Sequence, residues 1–378
     1  MLNNLKILEL ASVLAGPSVG QFFAELGAEV IKVENIKTGG DVTRTWKSAG
    51  EKTDDRSAYF CSVNWGKKSV ALDITAKEGK SIALKLAAQS DIIIASYKPG
   101  DAEKLGVSYH QLKEKNPRLI YGQITGYGSD NDRVGYDAVL QAEAGFMDLN
   151  GEKDGPPTKM PVALIDVLAA HQLKEGLLLA LLNRERTGCG DFVEVSLIET
   201  AISSLVNQAS NWLVANRLPS RQGSAHPNIA PYGETFETSD GKLILLAIGS
   251  DRQFLDLCDI LGISFDLLTD RFLTNQSRVE NRIALAELLK HRFKARSSSE
   301  LMGKIHAKKI PIGIVQNVKE ALEMPGIESI LLKAGQLTGI KGLVASFPES
   351  LPRTSVPILP PPHFGEHTQE IIASLLVD

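Results

Sequence analysis

Residues 5–34, LKILELASVLAGPSVGQFFAELGAEVIKVE, decide the fold. They read as a strand, a Gly/Pro-containing turn, an amphipathic helix and a second strand ending at Glu34, a βα unit opening an α/β domain. Working outward, the alternation recurs. KSVALDI (68–74) is a strand, KEGKSIALKLAAQS (77–90) a helix, DIIIAS (91–96) a strand apolar on both faces, and PRLIYGQITGYG (117–128) a further strand. Continuously apolar strands separated by helices imply a largely parallel, doubly wound sheet over the first ~145 residues. After Gly155-Pro156-Pro157 comes a strand-like PVALI and then IDVLAAHQLKEGLLLALLNRERTG (165–188), with Leu173, Leu177 and Leu181 at helical spacing and Gly188 as its stop. DFVEVSL (191–197) is a strand, followed by a long helix near 198–217.

Composition shifts at RLPSRQGSAHPNIAPYG (217–233), which reads as a linker. A second unit opens with TFETSDGKLILLAI (235–248), two strands about an Asp240-Gly241 turn, and continues with helices over 251–262, 277–293 and 298–307. From Ile310 the strand-and-helix character returns. A proline-rich SVPILPPPHFG leads to a closing helix, HTQEIIASLL.

The 378 residues suffice for two domains, and 43% hydrophobic with 23% charged residues is the mixture of a globular protein with a sizeable core. A formal net charge of -4 leaves no overall basic field for nucleic acid or an anionic membrane, so neither partner is expected and any anionic ligand must be caught locally. Cys61, Cys189 and Cys258 are too few and too scattered for a disulfide framework or a cysteine zinc site. The opening MLNNLKILELASVLAG has only Lys6 as an n-region and Glu9 within its apolar stretch, which reads against a secretory leader. No apolar run reaches the length of a membrane span, and a cytoplasmic setting is expected.

Four features carry candidate chemistry. Glu34, at the end of the second strand, stands where a dinucleotide fold binds ribose, but Ala15-Gly16-Pro17-Ser18-Val19-Gly20 lacks the glycines of the phosphate turn. His363-Phe364-Gly365-Glu366-His367 matches a zinc-peptidase pattern, yet Pro360, Pro361, Pro362 and Gly365 oppose the helix that must carry both imidazoles, so no metal is expected. Asp166, between PVALI and the Leu-rich helix, reads as an N-cap. At a helix start a carboxylate is held ionised, and an ionised carboxylate is a nucleophile for an acyl carbonyl. Lys32, Lys37, Arg44, Lys67, Lys68, Lys98 and Lys104 fall at strand ends or in the loops after them, where a parallel sheet binds ligands, and together they suit phosphates.

Taken in order, LAGPSVGQFFAELGAEVIKVE with GGDVTR, NWGKKSVALDI, KPGDAEKLG, NPRLIYGQITGYG, GYDAVLQAEAG, LIDVLAAHQLKEGLLLALLNRERTGCGDFVEVSL, HPNIAPYGETFETSDGK and PPPHFGEHT resemble the family III CoA-transferases over nearly the whole chain. This group includes formyl-CoA transferase, carnitine CoA-transferase and α-methylacyl-CoA racemase. The resemblance implies that Asp166 is the catalytic aspartate, which attacks an acyl-CoA to give a mixed anhydride, then an enzyme–CoA thioester, then the new acyl-CoA. It implies that Val13, Leu14 and Ala15 line the reacting thioester, that Tyr136 and Asp137 lie beside it, and that Lys67, Tyr97, Lys104 and Leu105 contact CoA. Asn35 replaces a basic residue of the family, so either Lys37 takes over that phosphate contact or the contact is missing. Leu14 stands where formyl-CoA transferase has glutamine, and HPNIAPYGE replaces its glycine-rich flap. Gly135-Tyr136-Asp137 lacks the histidine of the racemase branch, and a phenol is a poor substitute for imidazole in moving an α-proton.

The resemblance further implies a Rossmann-like large α/β domain built from both chain ends (1–205 and 316–378), a linker at 206–224, a smaller α+β domain at 225–315 and an interlocked homodimer. The expected function is transfer of CoA from an acyl-CoA to a free carboxylic acid with no cofactor beyond the CoA thioester substrate. α-Methylacyl-CoA racemisation and silent CoA binding are the alternatives.

Overall fold

The structure, a computed structural model, describes residues 1–264, 266, 268–346 and 358–376. The first residues of the proline-rich stretch, Ser355 to Pro357, therefore lie outside the described residues. The chain divides into two compact units. One comprises 1–146, 160–216 and 326–378, the other 147–159 and 217–325. The smaller unit thus takes in 147–159, expected in the larger one, because Arg221 donates to the carbonyls of Asp148 (2.7 Å) and Glu152 (3.1 Å). The return to the larger unit comes at 326 rather than 316.

The larger unit is built on six parallel strands: β1 (Lys6–Leu10), β2 (Glu29–Asn35), β3 (Lys67–Leu72), β4 (Ile92–Ala95), β5 (Ile120–Thr125) and β6 (Phe192–Ser196), in the order β3-β2-β1-β4-β5-β6. Strand side chains alternate between faces, so Ile7, Ile92 and Ile94 enter one core with Phe23, Leu173 and Leu177, while Leu8 and Ile93 enter another with Leu86 and Ile371. Both faces are therefore covered. Helices Ala15–Glu25 and Leu164–Thr187 lie on the first face, and Lys77–Ala88 with the closing Thr368–Ser374 on the second. The closing helix is tied to β3, since Ala71 N–H donates to Thr368 Oγ1 at 2.9 Å.

Three local expectations change. Gly16 and Pro17 lie not in a turn but in the first turn of the Ala15–Glu25 helix, where the amide that proline lacks would have no helical acceptor anyway. PVALI forms no strand, and the long helix already starts at Leu164. The helix expected over 198–217 is two, Leu197–Ser203 and Asn207–Leu213, broken at Val206 whose φ is +44°.

The smaller unit is an α+β body with its own core. Strands Tyr232–Glu237, Leu243–Ala247 and Ile312–Ile314 pair antiparallel. Phe254, Leu257, Leu289, Phe293, Leu301 and Ile305 from its helices pack with Ile244 and Leu246 of the central strand. The helix expected over 277–293 is interrupted at Asn281 and forms Asn275–Glu280 and Arg282–Lys294.

Candidate active site

In the strand order β3-β2-β1-β4-β5-β6 the connections run to opposite sides of β1 and β4, and in open α/β sheets ligands bind beyond the strand C-termini at such a switch point. A cavity of about 190 Å³ lies there. Its walls are the segments that follow β1 (Ser12 to Gly16), β4 (Ser96 to Pro99) and β5 (Gly126, Asn131 and Arg133 to Asp137), together with Asp166. Of the residues expected at the site, Val13, Leu14, Ala15, Tyr97, Tyr136, Asp137 and Asp166 all line this one cavity.

Asp166 is the third residue of the Leu164–Thr187 helix, not its cap; Ala163 takes the cap position and provides no side-chain hydrogen bond. The Asp166 side chain is buried, with 9% of the residue exposed. Among the described residues its carboxylate has no hydrogen-bond or ion-pair partner. Burial, followed by the nearby Asp137 carboxylate, pushes its pKa up from 3.8 to about 7. The helix start therefore does not hold it fully ionised: burial and a like charge leave it part-protonated near neutral pH. Asp137 supplies the missing cap from its own helix, Asp137–Glu143. Its Oδ2 accepts from Ile165 N–H at 2.7 Å and its Oδ1 from Gln141 Nε2 at 2.6 Å. Gln141 Oε1 in turn accepts from Met160 N–H at 2.8 Å, so the backbone entering Asp166 is fastened at two points.

Facing Asp166, the first loop carries the site's strained backbone. Val13 has φ of +73°, a left-handed conformation costly to a β-branched residue. Its N–H is shared by both carboxylate oxygens of Asp41 at 3.3 Å. Beyond it the N–H groups of Leu14, Ala15 and Gly16, at the start of the Ala15–Glu25 helix, meet no protein acceptor among the described residues. Lys98 and Arg133 also line the cavity and are its cations. Arg133 is half-spent, stacked over Tyr127 and paired with Glu143.

The lysine expected to meet a phosphate is elsewhere. Lys67 has no exposed surface; its Nζ lies 2.8 Å from Glu9 Oε2, 2.8 Å from the Pro17 carbonyl and 2.9 Å from Asn64 Oδ1. Burial pulls its pKa down to about 8 against the attraction of Glu9. Lys32 is equally enclosed, 3.0 Å from Glu9 and 2.9 Å from Asp41. Two lysines and two carboxylates thus neutralise one another inside the fold. Gly20 makes this possible, since a Cβ there would stand 1.9 Å from Glu9 Oε2. Arg44 grips Glu34 bidentately (2.8 and 2.6 Å), which occupies the carboxylate that the sequence placed near a ribose. Lys37 and Lys104 are exposed and pair with Asp73 and Asp101; with Leu105 they do not line the cavity. In the H-x-x-E-H stretch, His363 and Glu366 sit in a turn and His367 precedes the closing helix, so the histidines share no helical face. His367 Nδ1 accepts from Ser69 N–H at 3.3 Å.

Sequence reasoning missed Glu9, Asp41, Gln141 and Arg133. A signal existed for Glu9 and its partner Lys32: Lys32 alternates with Val30, and Glu9 with Ile7, on the same inward strand face.

Residues 2–368 match the profile of CoA-transferase family III. The chain is 34% identical to the succinate–glutarate CoA-transferase of Agrobacterium fabrum, over 99% of this chain and 95% of the relative. It is also 34% identical to human succinyl-CoA:glutarate CoA-transferase, over 99% and 86%. A crystal structure of a CaiB/BaiF family protein from Brucella suis superposes with a TM-score of 0.88 at 36% identity, covering 99% of both chains. A doubly wound sheet, a buried carboxylate at its switch point and this likeness along the whole chain lead to one conclusion: the protein belongs to CoA-transferase family III and is a CoA-transferase.

Proposed function

We propose that this enzyme moves CoA reversibly from an acyl-CoA to a free carboxylic acid through covalent intermediates on Asp166. The single observation that carries the reading is an unpartnered, buried carboxylate set against a row of unused backbone N–H groups in one cavity. Asp166 attacks the thioester carbonyl, the C–S bond breaks, and CoA leaves as thiolate while a mixed anhydride remains. The thiolate then attacks the aspartyl carbonyl, releasing the donor's carboxylate and leaving CoA on Asp166 as a thioester. The incoming carboxylate reverses these two steps, and the side chain returns unchanged. The N–H groups of Leu14, Ala15 and Gly16 suit the oxyanion that forms at each attack, as preorganised donors. With a pKa near 7, Asp166 is a stronger nucleophile than an ordinary aspartate and still ionised in useful proportion at neutral pH.

Relatives are named for succinate, glutarate, oxalate and mesaconate, so a short dicarboxylate is the acceptor we propose, its far carboxylate meeting Lys98 or Arg133. The nucleotide part of CoA runs by Tyr97, Lys104 and Leu105 beyond β4, and by Lys37 beyond β2. Lys67, buried against Glu9, is left out of this path. Hydroxylamine added during turnover with succinyl-CoA should leave a hydroxamate on the peptide containing Asp166, found by mass spectrometry. Turnover without any trapped Asp166, or undiminished turnover of Asp166→Asn, would remove the covalent mechanism.

A further inference from the structure

The strained turn at Val13 needs something to hold it. Left-handed backbone at a β-branched residue persists only where its surroundings over-determine it, and here the surroundings are specific. Asp41 Oδ1 accepts from Thr43 N–H at 3.0 Å and Thr43 Oγ1 at 2.8 Å, while Asp41 N–H donates to Glu34 at 2.9 Å. Lys32, with no exposed side-chain surface, binds Asp41 at 2.9 Å, the Ala11 carbonyl at 2.7 Å and Glu9 at 3.0 Å. Lys32 therefore grips both the start of the loop, at Ala11, and the carboxylate that fastens Val13. Ser12, Val13 and Leu14 span the distance from that anchor to the helix whose first residues line the cavity, with N–H groups that meet no acceptor among the described residues.

We propose that Asp41 is a positioning residue for catalysis: its carboxylate, locked by Lys32, forces Val13 into the left-handed turn that aims the Leu14, Ala15 and Gly16 N–H groups at the reacting carbonyl. Asp41 does not line the cavity and acts only through the loop. The same clamp accounts for why Lys32 and Glu9 lie inside the sheet. They form a charged strut from β1 and β2 to the turn, with Lys67 balancing Glu9 on its other side.

The decisive test exploits glycine, which adopts left-handed backbone without the cost a valine bears. In Asp41→Asn one oxygen becomes an amide nitrogen, so a donor faces Val13 N–H and the Lys32 ammonium. With succinyl-CoA and glutarate, a choice that rests on the proposed acceptor class, Asp41→Asn should lower kcat by about thirtyfold, within the range for misplaced catalytic groups, with KM for succinyl-CoA changed less than about threefold. In a Val13→Gly background the same substitution should cost about tenfold less, a coupling expected only if Asp41 acts through this turn. Equal losses in both backgrounds would make Asp41 an ordinary core residue and overturn the proposal. Hydrogen exchange of the 12–16 amides gives a second readout that needs no substrate. Asp41→Asn should speed it, and unchanged protection refutes the clamp. A parent enzyme inactive on this pair counts against the acceptor class alone, and exchange then decides. If Asp41→Asn fails to fold, Lys32→Met/Asp41→Asn removes both charges of the pair and must show the same coupling and the same exchange.

Discussion

Replacing Asp166 by asparagine should stabilise the protein while silencing it. The carboxylate is buried beside Asp137, and the fold raises its pKa from 3.8 to about 7. A carboxyl group whose folded pKa lies above its unfolded value favours the folded state while protonated. That contribution is complete below about pH 4 and is lost as the pH climbs through about 7. At about 1.36 kcal/mol per pH unit, the interval amounts to at most about 4 kcal/mol. Asparagine resembles the protonated acid in shape and carries no such penalty. Asp166→Asn should thus match the parent near pH 4 and exceed it increasingly up to about pH 8, by no more than about 4 kcal/mol. Urea unfolding followed at several pH values measures this directly, as a midpoint shift at constant slope. Asp137→Asn removes the neighbouring charge but leaves the burial, so it should lower the Asp166 pKa and shrink the gain. A pH-independent difference between parent and Asp166→Asn, or a loss of stability at pH 8, would refute the reasoning that this carboxylate is held at a cost.

Two further outcomes follow from the buried lysines and the exposed leucines. Lys67→Met should leave Glu9 short of a counter-charge and destabilise the larger unit by about 3–5 kcal/mol, with CoA affinity of the folded variant unchanged by calorimetry; a tenfold affinity loss would return Lys67 to the CoA site. Leu179 and Leu182 of the long helix and Trp212 and Leu213 of the Asn207–Leu213 helix are more than half exposed, large apolar side chains that a partner would cover. We therefore expect a homodimer, twice the 40.9 kDa chain by sedimentation at micromolar concentration, and a monomer there would refute it.

Much of the architecture was legible because periodicity reports burial. DIIIAS could only be a strand covered on both faces, and Ile92, Ile93 and Ile94 indeed alternate between two cores. Local breaks were less legible: nothing in the composition around Val206 or Asn281 announces that a helix stops there, since neither is glycine or proline. At the site, Val13, Leu14, Ala15, Tyr97, Tyr136, Asp137 and Asp166 came together because each follows a strand or opens a helix at one sheet edge. The lysines were misjudged for a physical reason. A cation at a strand end reads as a phosphate contact at the ligand-binding edge, whereas Lys32 and Lys67 point inward and find carboxylates there. A helix start is visible in sequence, whereas the burial that raises the Asp166 pKa, and the carboxylate arriving from 29 positions earlier that adds to it, are not.

The charged strut beneath the first loop has a consequence for heat. Hydrophobic burial gains little further strength as temperature rises, whereas the cost of withdrawing ions from water falls, because hydration of charge carries a strongly unfavourable entropy. Glu9, Lys32, Asp41 and Lys67 have all surrendered their hydration. The catalytic turn is therefore moored to the part of the core whose relative penalty diminishes on warming, and its geometry is tied to an anchorage that heat weakens less than the surrounding packing.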